Sequence, residues 1–119
     1  MRVKALVSAA IAACMLAVAG IAWAKGWVTT VTIHETKTMS VRGRVYSNNP
    51  PCRYGRTIQV IHKTGQSGQV VGTTTSFKSD SKPYGVWKLG TPLHPGYYYA
   101  HATKRNNCLG GNSKVIFVH

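Results

Sequence analysis

Carboxylates are nearly missing from this chain: 2 Asp plus Glu stand against 15 Lys plus Arg in 119 residues, a formal charge of +13. The two acids, Glu35 and Asp80, lie in separate segments, so the paired acid and base of glycoside hydrolysis is not available. A serine triad would need one of these acids to orient a histidine, and no Gly-x-Ser-x-Gly elbow occurs. There is no CxxC pair, and His34, His62, His94, His101 and His119 are scattered without HxH or HxxxH spacing. The expectation is therefore no metal site and no cofactor. Charged residues amount to only 14% and apolar ones to 44%, which excludes a charge-swollen disordered tail and favours one packed domain. Nothing here spells a reaction, and the expectation is a protein that is not an enzyme.

What is present begins with a leader. Arg2 and Lys4 form a short positive region, the stretch from Ala5 to Ala24 carries no charge, and Ala22-Trp23-Ala24 directly precedes Lys25. This reads as a signal peptide over residues 1–24 with an Ala-x-Ala cleavage site. Two other readings stay open: an uncleaved anchor, since an uncharged run of this length can just span a bilayer, and lipidation at Cys14 after Ile11-Ala12-Ala13. With cleavage, residues 25–119 form the mature domain, no membrane-spanning segment remains, and the place expected is outside the cell, in the periplasm or on the envelope. Losing Arg2 and Lys4 lowers the formal charge from +13 to +11.

Cys14 leaves with the leader, so Cys52 and Cys108 are the two cysteines of the mature chain. In an oxidising compartment they read as one disulfide. Closing that loop stabilises a domain of this size by roughly 4 kcal/mol on the chain-entropy estimate.

The mature chain is rich in Val, Thr, Tyr and Ile, and turn residues interrupt it every eight to twelve positions, the pattern of short strands rather than helices. Seven strands are expected. Val28 to Ile33 places Val31 and Ile33 on one face, and Val41-Arg42-Gly43-Arg44-Val45 alternates apolar with basic. Arg56 to Lys63 turns Ile58 and Val60 inward; Gln69 to Phe77 follows across Gly65-Gln66-Ser67-Gly68, with Val71, Thr73, Thr75 and Phe77 in register. Val86 to Leu89, Gly96 to Ala102 and Lys114 to His119 complete the set. Gly43 and Gly72 inside strands signal a bulge or a close approach of the sheets. Trp87 is the candidate core aromatic, and Tyr98 the candidate for a ring in the core with its hydroxyl on a backbone group. Tyr97 and Tyr99 would then face the other way, either as packing aromatics or as an exposed platform for a sugar or a base. The fold class expected is all-β, a seven-stranded Greek-key sandwich with one disulfide.

Val41-x-Gly43-x-Val45, Cys52, Arg56-x-Ile58-x-Val60, Val71-Gly72, Asp80 leading to Gly85-x-Trp87, Pro95-Gly96-x-Tyr98-Tyr99-Ala100, Cys108 and Ser113-x-Val115 together resemble the bacterial secreted carboxypeptidase-regulatory-like or transthyretin-like domains. The resemblance runs over residues 38–118. It implies a prealbumin-type sandwich, non-catalytic, used as a stalk, accessory or binding module. The family turn is Asp-x-x-Gly-x-aromatic, whereas Ser81 to Tyr84 separate Asp80 from Gly85 here.

The charge itself asks for a partner. So many bases with two acids cannot be neutralised internally, and they create a positive field of several kT. Arg42 and Arg44 share a strand face; Arg53 and Arg56 flank the disulfide turn; Lys104 and Arg105 lie near Cys108. Formation of the disulfide would bring Arg53, Arg56, Lys104 and Arg105 together as a basic patch. Anionic polysaccharide, lipid headgroups or another polyanion are the expected partners, while no recognition helix, RNP-like motif or OB signature points to a dedicated nucleic-acid target. The competing explanations are protection of sheet edges by basic residues, a structural module docking a partner protein, and a small-ligand carrier of transthyretin-like type.

Overall fold

The structure, a computed structural model, describes residues 26–119; the expected leader at residues 1–24 lies outside them. It is all-β. Ten strands occur in chain order: β1 (Thr30–Val31), β2 (His34–Glu35), β3 (Val41–Tyr46), β4 (Thr57–Thr64), β5 (Ser67–Thr75), β6 (Phe77–Lys78), β7 (Gly85–Leu89), β8 (Gly96–Ala102), β9 (Gly111–Asn112) and β10 (Ile116–Val118). The first sheet has the order β1-β3-β7-β6 with β2 also on β3, and the second the order β10-β8-β4-β5 with β9 also on β8. All these pairings are antiparallel.

Among the described residues the count is ten rather than seven: β9, paired with β8, is additional, and two of the expected strands divide. The expected first strand is split into β1 and β2, both on β3. The expected fourth strand breaks at Ser76, where the chain leaves the second sheet and enters the first. Ser76 is buried, its N–H donates to the Arg56 carbonyl (2.9 Å) and its hydroxyl donates to the Arg53 carbonyl (2.9 Å), which fixes the corner.

Strand alternation turns one face of each sheet inward. Val31, Ile33, Val41, Val45 and Trp87 from the first sheet region meet Ile58, Val60, Tyr98, Ala100, Ala102 and Val118 from the second in one core. Gly43 lies opposite Trp87. A side chain at Gly43 would run into the Thr32 carbonyl oxygen, and its absence lets the Trp87 indole N–H donate to that oxygen at 3.1 Å. Gly72 is the corresponding close approach between sheets: a Cβ there would lie 2.6 Å from a Leu89 methyl. Beside it the register passes from Val60↔Gly72 to Ile61↔Val70, so Val71 is the extra residue of a bulge. Val71, Thr73, Thr75 and Phe77 are exposed, while Gly72, Thr74 and Ser76 are the partly or wholly buried positions.

Cys52 and Cys108 form the disulfide, with Cα atoms 5.4 Å apart. Tyr98 is buried, its hydroxyl donates to the His94 carbonyl at 2.7 Å, and burial pushes its pKa up.

Candidate functional site

The bond between Cys52 and Cys108 joins the loop before β4 to the loop after β8, and the expected arginines do converge there. They do not form one accessible patch. Arg56 is wholly buried. Its guanidinium donates to Thr29 Oγ1 (2.8 Å) and to the carbonyls of Cys52 (3.0 Å), Thr103 (2.8 Å) and Leu109 (2.9 Å). No carboxylate neutralises it, Nε has no partner, and burial, followed by the nearby Arg105 charge, lowers its pKa. It remains a cation at neutral pH. Arg56 is thus a clamp that gathers three backbone carbonyls and the Thr29 hydroxyl, and it offers no surface to a polyanion. The signal was legible: Arg56 has the same strand parity as Ile58 and Val60, which are also buried.

Arg105 is used similarly at the rim, donating to the carbonyls of Gly55 (2.6 Å), Pro51 (2.6 Å) and Tyr54 (3.1 Å). Arg53 donates through Nε to the Ser47 carbonyl (2.7 Å) and is half-buried. Lys104 is exposed. The expected patch of four is therefore one buried cation, two cations held on backbone oxygens and one free lysine.

A denser basic surface lies on the outer face of the first sheet. Arg42 and Arg44 point outward from β3, and pairing with β7 sets Arg42 directly opposite Lys88 and Arg44 opposite Val86. On the other side of β3, His34 pairs with Arg42. The Arg44 guanidinium lies 4.4 Å from the centre of the Tyr84 ring and donates to the Tyr46 hydroxyl at 3.2 Å, a bond that raises its pKa. Tyr46 and Tyr84 pack together with centroids 5.4 Å apart. A cleft of about 220 Å³ is lined by His34, Arg42, Arg44, Tyr84 and Val86. A second, of about 270 Å³, is lined by Tyr46, Arg53, Thr30 and Pro83 among others. Lys88, His34 and Tyr84 escaped the sequence reading because cross-strand register, which no local pattern encodes, brings them to Arg42 and Arg44.

Neither acid relieves this charge by contact. Glu35 accepts the His119 backbone N–H at Oε1 (2.9 Å), and His119 Nδ1 lies 3.0 Å from Oε2. These bonds hold the Glu35 carboxyl below its ordinary value. This is the one contact between a carboxylate and a basic side chain among the described residues, and Asp80 takes part in none.

The outer face of the second sheet is different in character. Tyr97 is 56% exposed and lies edge-on to Phe117 at 5.0 Å; Phe117 in turn lies edge-on to His119 at 5.1 Å. Tyr99 is half-buried on the same face, beside Ile61. The rings are crossed rather than coplanar, so they do not make a flat platform. Among the described residues no group of three or more His, Cys, Asp or Glu side chains could hold a metal ion. No helix there is long and apolar enough to cross a membrane.

Comparison with known proteins finds no matching family model, no matching curated protein and no matching solved structure.

Proposed function

We propose that the protein is a secreted, non-catalytic β-sandwich module of the prealbumin, Greek-key type that binds anionic surfaces. The observation that carries this reading is the set of unneutralised cations on the outer face of the first sheet. Like charges placed directly across a strand pair destabilise the sheet. Arg42 and Lys88 nevertheless stand opposite each other, with His34 beside them. A bound polyanion would relieve that repulsion. Mass measurement of the exported protein tests the leader, with cleavage after Ala24 as the expected result. Binding to heparin and to anionic vesicles across a salt series tests the function: affinity should fall steeply as salt rises. No binding even at low salt sinks the reading.

A second reading, a module that docks a partner chain, is favoured by β5. This nine-residue strand forms an edge of the second sheet and contains no charged residue and no proline. Such an edge is open to an added strand. Partner capture that survives removal of Arg42 and Arg44 would support it.

A further inference from the structure

We propose that the outer face of the first sheet is a groove for an acidic polysaccharide, a chain of sugars bearing sulfate or carboxylate groups, held by Arg42, Arg44 and Arg53 around the Tyr46 and Tyr84 rings. This rests on the anionic-surface reading above and names its site and its ligand class.

The surface is extended rather than a single socket. Tyr84 lines the cleft that holds Arg42 and Arg44, and Tyr46 lines the one that holds Arg53; their packed rings form the wall between the two. A compact anion would occupy one cleft. A polymer with acidic groups at intervals can occupy both, each with its own guanidinium.

Two of the three anchoring groups, Arg44 and Arg53, are fixed before any ligand arrives. Arg44 is held over the Tyr84 ring and by the Tyr46 hydroxyl, and Arg53 is held through Nε on the Ser47 carbonyl. In both cases a neutral partner does the holding, so the charge stays available for sulfate or carboxylate, which the guanidinium fork can meet with two parallel bonds. Pre-ordering of this kind reduces the side-chain entropy lost on binding.

The chemistry beside the cations suits sugars better than bases. Base stacking on successive nucleotides requires free ring faces. Here the Tyr84 ring carries Arg44 on one face and packs at a tilt against Tyr46, while Phe77, paired with Val86, is 43% exposed. The tyrosine hydroxyls can bond sugar hydroxyls, and a single free ring can cover one apolar sugar face.

The test uses protein made from the full 119-residue chain, with the disulfide verified by mass. The probes are heparin, oligodeoxythymidylate of equal charge, and phosphatidylglycerol vesicles. The double variant Arg42→Gln/Arg44→Gln is compared with Lys37→Gln/Lys114→Gln, which removes the same charge from exposed positions elsewhere. Circular dichroism confirms that each variant is folded. The face variant should lose heparin affinity about tenfold or more at physiological salt, and the control less than about threefold. Tyr84→Ala should weaken heparin binding without changing the salt slope, since it removes no charge. Equal loss in the two double variants overturns the groove while leaving the anionic-surface reading intact. Tighter binding of the oligonucleotide or the vesicles than of heparin overturns the ligand class. If the unmodified protein binds none of the three at low salt, the functional reading itself fails.

Discussion

Replacing Arg56 with methionine keeps a long side chain in the core of the disulfide end and deletes its guanidinium. Four hydrogen bonds from that group disappear, to Thr29, Cys52, Thr103 and Leu109. Bonds from a charged donor contribute about 1.5 kcal/mol each at the low end, so their sum is about 6 kcal/mol. Opposing it is the desolvation of an unpaired cation, several kcal/mol, of which the methionine variant is relieved. Taking that cost as about 3 kcal/mol leaves a net loss of about 3 kcal/mol. A domain of this length has roughly 5–14 kcal/mol in total, so the loss should lower the melting temperature by about 12–24 °C. Urea unfolding of the disulfide-intact protein, followed by Trp fluorescence, measures it as a shift in midpoint at constant slope. Arg56→Lys is the companion variant. It keeps the charge, but one nitrogen cannot reach carbonyls spread around a planar fork, so it should also destabilise, by about 2 kcal/mol. A loss under about 1 kcal/mol for methionine, or any gain, would refute the reasoning and show that desolvation cancels the clamp. Full recovery by lysine would show that charge alone, and not the fork, matters.

Three further outcomes follow from the packing. Gly43→Ala drives a methyl into the Thr32 carbonyl and should cost about 3 kcal/mol, with a change in Trp87 fluorescence as its hydrogen bond to Thr32 is disturbed; an unaltered unfolding midpoint would contradict the close approach. Cys108→Ser opens the bond to Cys52 and should lower stability by about 4 kcal/mol, read from urea midpoints of oxidised and mutant protein. Glu35 has its pKa depressed in the fold by the His119 hydrogen bonds, so its contribution is present above the unfolded value of 4.5 and is lost as pH falls through the folded value. The stability gap between the protein and Glu35→Gln should therefore close on acidification below about pH 5, and a gap that stays constant to pH 2 would contradict that linkage.

Local chemistry determined much of this molecule. The alternation Val41-x-Gly43-x-Val45 specifies a strand with Arg42 and Arg44 on the opposite face, because successive side chains of a strand point to opposite sides. β3 has that pattern. The pairing of Cys52 with Cys108 was readable from the number of cysteines outside the expected leader, the burial of Trp87 from residue type, and the use of the Tyr98 hydroxyl on a backbone carbonyl from analogy with other sandwiches. Parity also carried the burial of Arg56, but a basic residue beside a turn reads as solvated unless its backbone partners are known. Those partners are the carbonyls of Thr103 and Leu109 as well as nearby Cys52, and the Thr29 hydroxyl joins them.

Tertiary structure decided what depends on distant contacts. Gly72 turns toward Leu89 while Val71, Thr73 and Thr75 face outward, and the strand breaks at Ser76, which is bonded to Arg53 and Arg56. The meeting of Arg42 with Lys88 and of Arg44 with Tyr84 is likewise a product of how strands far apart in sequence align. A one-residue slip in pairing sends a side chain to the other face. The sequence by itself therefore determined which residues alternate, and the packing of the two sheets decided that Arg56 is a buried clamp while Arg42 and Arg44 stay exposed.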